Sequence, residues 1–106
     1  MISEQAITPI PKDKLANATR CLKALANPTR LAILCALKDG EQPVQAIEAA
    51  VGASQSAVSM QLATMRDRDI LLARRQGSQV FYRIADPRLL ELLAILKAMH
   101  CPDWNE

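Results

Sequence analysis

The chain has 106 residues, enough for one domain of ordinary size and too few for two. Half of them are hydrophobic but only three are aromatic, so the core is expected to be built from Ala, Leu, Val, Ile and Met, a palette that favours helices over sheets. A net charge of +2 does not establish nucleic-acid binding. The polar N-terminus, broken by Pro9 and Pro11, and the lack of a long apolar run predict neither a secretory leader nor a membrane span, hence a cytoplasmic protein whose cysteines start out reduced.

Residues 1–11 read as a flexible N-terminal tail. Leu15, Ala18, Leu22 and Leu25 recur at spacings of three and four, which predicts a first helix from about Lys12 to Ala26, with Cys21 beside its apolar stripe. That helix must stop near Asn27-Pro28, because a residue before proline is pushed out of the helical region. Asn27 then caps a second helix with Pro28 at its first position. Leu31, Leu34, Cys35 and Lys38 share one face of it, Ile33 and Leu37 widen the apolar surface, and Asp39-Gly40 ends it. A short third helix runs from about Pro43 to Val51, with Val44, Ile47 and Val51 inward and Gly52 supplying the turn. Ser54 caps a fourth helix through about Asp67, with Val58, Leu62 and Met65 on its buried stripe.

The period then changes. Leu72, Arg74 and Gln76 alternate with Ala73 and Arg75. Beyond Gly77-Ser78, Val80, Tyr82 and Ile84 alternate with Phe81 and Arg83, which predicts a β-hairpin. Asp86-Pro87 opens a fifth helix with Leu89, Leu92, Leu93, Leu96 and Met99 on one stripe, and Pro102 ends it just after Cys101. Residues 103–106 form a short C-terminal tail. The expected fold is mainly α with one β-hairpin, in the order ααααββα, as one domain over residues 12–102.

The short third helix, its glycine turn and the capped fourth helix make a helix-turn-helix. With Val58, Leu62 and Met65 inward, the outward positions are Ser56, Ser59, Met60, Ala63 and Asp67, mostly short side chains that let a backbone approach base edges. Gln55, in the first turn, offers the donor and acceptor that adenine pairs with. Arg74 and Arg75 lead into a Gln76-Gly77-Ser78-Gln79 hairpin tip, a placement suited to phosphate or minor-groove contact, and Arg66 and Arg68 lie at the end of the fourth helix. An ordinary helical domain with a surface hairpin shows any one of these features; their order together points to duplex DNA. The candidate DNA-binding residues are Gln55, Ser56, Ser59, Met60, Arg74, Arg75, Gln76 and Gln79. No Cys-x-x-Cys motif, phosphate-binding glycine loop or Ser/His/Asp constellation is present, so neither an enzyme nor a resident cofactor is expected.

Three stretches carry a family resemblance: Asn27-Pro-Thr-Arg-Leu-Ala-Ile-Leu34, Ser54-Gln-Ser-Ala-Val-Ser-Met-Gln-Leu62 and Arg75-Gln-Gly-Ser-Gln-Val-Phe-Tyr82. Together they resemble the ArsR/SmtB family of winged helix-turn-helix repressors. The resemblance implies a homodimer built from the first and last helices, binding of double-stranded operator DNA, and repression relieved by an inducer. It places Gln55, Ser56, Ser59 and Met60 toward DNA, with Met60 and Gln61 standing where many members carry His or Gln, then His. The family's cysteine motif for arsenic or cadmium would fall on Glu41-Gln42-Pro43-Val44-Gln45, which has no cysteine. Its zinc site in the last helix uses Asp and His, whereas this helix offers Asp86 and the chain's single histidine is His100. Both usual metal sites are therefore expected to be absent.

Ile33-Leu-Cys35-Ala-Leu37 and Met99-His-Cys101 resemble the persulfide- and redox-sensing branch of that family. This implies that Cys35 and Cys101 are the sensing thiols, that a disulfide or a bridge of additional sulfur atoms joins them, and that a reactive sulfur species or oxidant is the inducer. Two other readings stay open. Cys35 is also a small core residue among Leu31, Leu34 and Leu37. A metal or metalloid sensor would use Cys21, Cys35 or Cys101 with His100. Cys21 itself reads as packing, with a third reactive thiol as the alternative.

Overall fold

The computed structural model describes residues 6–100. Along the chain these form α1 (Lys12–Leu25), α2 (Pro28–Ala36), β1 (Gln42–Pro43), α3 (Val44–Val51), α4 (Gln55–Asp67), β2 (Leu71–Gln76), β3 (Gln79–Ile84) and α5 (Arg88–His100). The predicted caps set several boundaries. Asn27 adopts an extended backbone and its side chain accepts a hydrogen bond from the Arg30 N–H at 3.1 Å, with Pro28 opening α2. Gly52, at φ 73°, supplies the left-handed residue that closes α3, and Ser54 accepts from the Ala57 N–H at 3.1 Å to start α4. The exit from α4 is a Schellman turn. Asp69 sits at φ 61°, the Asp69 N–H reaches the Arg66 carbonyl at 3.0 Å, and the Ile70 N–H reaches that of Met65 at 2.9 Å. That turn aims Leu71 into the core as the first residue of β2.

The hairpin expectation is corrected in one respect. Among the described residues the sheet has three antiparallel strands in the order β1-β3-β2, because Gln42 and Pro43 pair with Tyr82 and Phe81. Pro43 has no N–H to give a central strand, so β1 occupies the edge. Helix α3 consequently starts at Val44, with Pro43 as its N-cap residue. Across the hairpin the register is Gln76↔Gln79 at the tip, Arg75↔Val80, Arg74↔Phe81 and Leu71↔Ile84 at the base. Helix α2 also ends at Ala36, so Lys38 lies in the following turn.

The core gathers Ile33, Leu34 and Leu37 from α2 and its turn, Ile47 from α3, and Val58, Leu62 and Met65 from α4. Leu71, Tyr82 and Ile84 close it from the sheet. The terminal helices contribute little. Helix α1 buries only Ala24 and Leu25, and α5 has no fully buried residue, resting Leu89, Leu90, Leu92 and Leu93 half-buried on the core. They leave Leu15 (47% exposed), Leu22 (62%), Ile95 (56%) and Met99 (66%) in solvent, within an envelope of 60 × 33 × 21 Å. Among the described residues no helix is long and apolar enough to cross a membrane.

Candidate functional site

Helix α4 separates its two faces as a groove-reading helix must. Val58, Leu62 and Met65 are buried, which fixes its rotation, and Gln55, Ser56, Ser59 and Met60 are exposed on the other side. Among the described residues Gln55, Ser56 and Ser59 make no side-chain hydrogen bond, so their donors and acceptors remain available. Met60, 61% exposed, is an apolar group at the centre of a polar face, a shape suited to a thymine methyl. Arg66 pairs with Asp67 at 3.2 Å on the solvent side of the helix.

The wing formed by β2 and β3 carries three arginines, Arg74 and Arg75 on β2 and Arg83 on β3, and treats the two neighbours on β2 differently. Successive strand residues point to opposite faces. Arg74 turns toward the loop after α2, where its Nε lies 2.8 Å and its Nη2 2.7 Å from the two carboxylate oxygens of Glu41. Its Nη1 donates to the Gln76 side-chain oxygen at 2.7 Å, and the guanidinium stands 4.5 Å from the Phe81 ring centroid. The hydrogen bonds from Arg74 hold the Glu41 carboxyl below the usual carboxylate range. Arg75, on the opposite face, is exposed and makes no ion pair among the described residues. Gln79 is exposed at the tip. Arg74 therefore braces the wing, while Arg75 and Arg83 are exposed wing charges without an ion pair among the described residues.

Cys35 is half-buried in α2 and lines a cavity of about 470 Å³ bounded by α2, α3 and α5. Lys38, Asp39 and Lys97 share its wall. Cys101 lies outside the described residues, as does the predicted end of the last helix at Pro102; Lys97 is four positions before Cys101 in the sequence. Cys21 is exposed on α1, beside Arg20, Lys23 and Arg68. Among the described residues no group of three or more His, Cys, Asp or Glu side chains is placed to hold a metal ion.

The profile of the bacterial regulatory proteins of the arsR family matches residues 27–71, from the cap of α2 to the first residue of the wing. The biofilm growth-associated repressor of Agrobacterium fabrum is 39% identical over 85 residues, which cover 79% of this chain and 73% of that protein. The chain belongs to the arsR family. This arsR-family protein is a DNA-binding transcriptional regulator with a winged helix-turn-helix fold, and not an enzyme. It superposes on HlyU from Vibrio cholerae with a TM-score of 0.78 at 33% identity, covering 86% of this chain and 99% of that one. The antimony-specific repressor AntR superposes with a TM-score of 0.80 at 38% identity, over 91% of this chain and 87% of that one. The homodimeric winged helix-turn-helix DNA-binding domain Mb0332 of Mycobacterium bovis gives a TM-score of 0.71 at 34% identity, over 90% and 89% of the two chains.

Arg30 is the residue of this arsR-family regulator that sequence reasoning passed over. Its Nε donates to the Ala24 carbonyl at 2.6 Å, its Nη2 to the Lys23 carbonyl at 3.1 Å, and its Nη1 to the Gln61 side-chain oxygen at 3.0 Å. One guanidinium thus ties the end of α1 and the start of α2 to the middle of α4. Two of its acceptors are backbone carbonyls, which no sequence pattern displays. The placement of Lys97 beside Cys35 was likewise hidden, because α5 is distant from α2 in sequence, whereas Lys38 already shared the Cys35 face by spacing.

Proposed function

We propose that the protein is a homodimeric repressor that holds operator DNA while its thiols are reduced and releases it when Cys35 and Cys101 become linked by reactive sulfur or by oxidation. The DNA face consists of Gln55, Ser56, Ser59 and Met60 of α4, with Arg75, Gln76 and Gln79 of the wing. Arg74 serves it by fixing the wing to Glu41. The observation that carries the sensing half is the position of Cys35: it opens on a cavity whose α5 wall reaches Lys97, four positions before Cys101 in the sequence. A bridge between these thiols ties α2 to α5. Because α5 also carries an exposed apolar face, the bridge acts on the spacing of the two recognition helices. DNA half-sites sit about 34 Å apart, so a small change in that spacing weakens binding. The likeness to HlyU and to the Agrobacterium repressor supports this reading, and the homodimeric mycobacterial domain supports the dimer.

The likeness to AntR favours a second reading, a metalloid-responsive repressor that uses a cysteine site. One experiment separates the two. A duplex selected by the reduced protein from a random pool is titrated before and after treatment with an organic persulfide, with peroxide, Zn²⁺ and antimonite as parallel treatments, and the cysteines are mapped by mass spectrometry. The thiol reading expects affinity to fall at least about tenfold, about 1.4 kcal/mol, as a Cys35–Cys101 bridge appears. Cys35→Ser and Cys101→Ser proteins should keep their affinity under the same treatment. Release by these variants as complete as by wild type overturns the thiol mechanism, and release by antimonite alone establishes the metalloid reading.

A further inference from the structure

The cavity beside Cys35 has a charge character that a mere packing void lacks. Ala32, Ala36 and Ala50 leave its space open, and Leu90 and Leu93 line its α5 side. Its charged groups are Lys38 and Asp39 from the turn after α2 and Lys97 from α5, two ammonium groups against one carboxylate. Both lysines are half-buried, and neither makes an ion pair among the described residues. A volume of about 470 Å³ falls within the range of small-molecule sites, about 300–1,000 Å³. The cavity also stays clear of the exposed apolar face of α5. At about 100° per residue, Leu90, Leu93 and Lys97 cluster on one side of the helix, while Ile95 and Met99 lie on the other.

We propose that this cavity docks an anionic, carboxylate-bearing organic persulfide, with Lys38 and Lys97 holding its carboxylates while its outer sulfur meets Cys35. The proposal rests on Cys35 being a sensing thiol and adds the chemical class of the donor and the residues that select it. The Cys35 thiolate attacks the outer sulfur of R–S–SH. A new S–S bond forms at Cys35, the donor's own S–S bond breaks, and R–S⁻ leaves with the electron pair of that bond. The product is a Cys35 persulfide, and no outside oxidant is consumed. A thiolate and an anionic donor repel one another. Two ammonium groups on the cavity wall remove that penalty, and they do so only for a donor that carries negative charge.

The test compares two donors of opposite charge, glutathione persulfide and cysteamine persulfide, on the reduced full chain and on its Lys38→Gln/Lys97→Gln variant. Second-order rates of Cys35 persulfidation are read by peptide mass spectrometry. Because both donors meet the same thiol, their rate ratio cancels any change in the thiol's own reactivity. The wild-type protein should prefer the anionic donor by about tenfold, a preference that shrinks as salt is raised. In the double variant the ratio should fall to about one, and each single variant should lie between. A ratio unchanged in the variants, or near one already in wild type, overturns the docking site while leaving Cys35 a sensing thiol. A Cys35 inert to both donors overturns the sensing reading and the docking site with it. If the double variant fails to fold, the two single variants carry the same comparison.

Discussion

Arg30 places three donors on acceptors from α1 and α4, and a shorter side chain there leaves all three without their partner. Hydrogen bonds from a charged group contribute about 1.5–3 kcal/mol each, and water replaces part of that at a half-buried site. Arg30→Leu should therefore lower the unfolding free energy by about 2–3 kcal/mol in denaturant titrations at fixed protein concentration. Arg30→Lys should recover less than half of this, since an ammonium cannot fork across acceptors on two helices. The wing arginines make a second prediction at this scale. Arg75 carries its charge into solvent, whereas Arg74 is neutralised by Glu41. Arg75→Ala should weaken binding to all duplexes alike and reduce the slope of log K against log salt by about one per subunit. Arg74→Ala should leave that slope nearly unchanged and loosen the wing instead, visible as faster amide exchange in β2 and β3. Equal effects on the slope would mean that Arg74 leaves Glu41 to bind phosphate.

At the level of elements, the helix starts were legible because caps are local. Asn27, Ser54 and Asp86 each reach a backbone N–H two or three residues ahead, and that geometry is written in short sequence spacings. The face of α4 was legible for the same reason, since Val58, Leu62 and Met65 fix its rotation. Strand β1 was not, because two residues carry no period and Pro43 argues against a strand. The Arg74–Glu41 brace was hidden too, as its partners meet only once β1 has docked beside β3. The cap of α5 makes a pH prediction. Asp86 takes a hydrogen bond from the Arg88 side chain, at 2.7 Å to its Nη2, and another from the Arg88 N–H at 2.9 Å, which together with the guanidinium charge hold its carboxyl down to about 2. An unfolded aspartate titrates near about 3.9. A carboxyl depressed on folding stabilises the native state fully above the unfolded value, and that contribution is lost as pH falls toward the folded one. Asp86→Asn should therefore melt below wild type at pH 7, and the gap should close between about pH 4 and pH 2. A gap constant across that range would show that the cap works without its charge.

The whole molecule is longer than its core requires, and the excess lies in α1 and α5. Leu15 and Leu22 are seven residues apart, two turns on the same side of α1, and Ile95 and Met99 are four apart on α5. A chain of this size buries only about two-thirds of its extended surface alone, so four large apolar side chains left in water weigh heavily. Pairing two copies through these helices removes them from solvent and sets two α4 helices at a fixed separation. It also gives α5 two roles, because one side of it faces the proposed partner and the other walls the Cys35 cavity. Under the proposed pairing, a bond or ligand at the cavity acts on the element that sets the half-site spacing. Leu22→Glu and Ile95→Glu place a carboxylate on each candidate face without touching the core or the DNA face. Both should sediment as monomers with wild-type helix content. Their operator affinity should fall by at least about a hundredfold, because a single α4 loses the effective concentration that the second one supplies. The same variants should still bind a half-site duplex as weakly as wild type does. Variants that remain dimeric would move the interface elsewhere, and monomers that keep full operator affinity would show that one winged helix suffices.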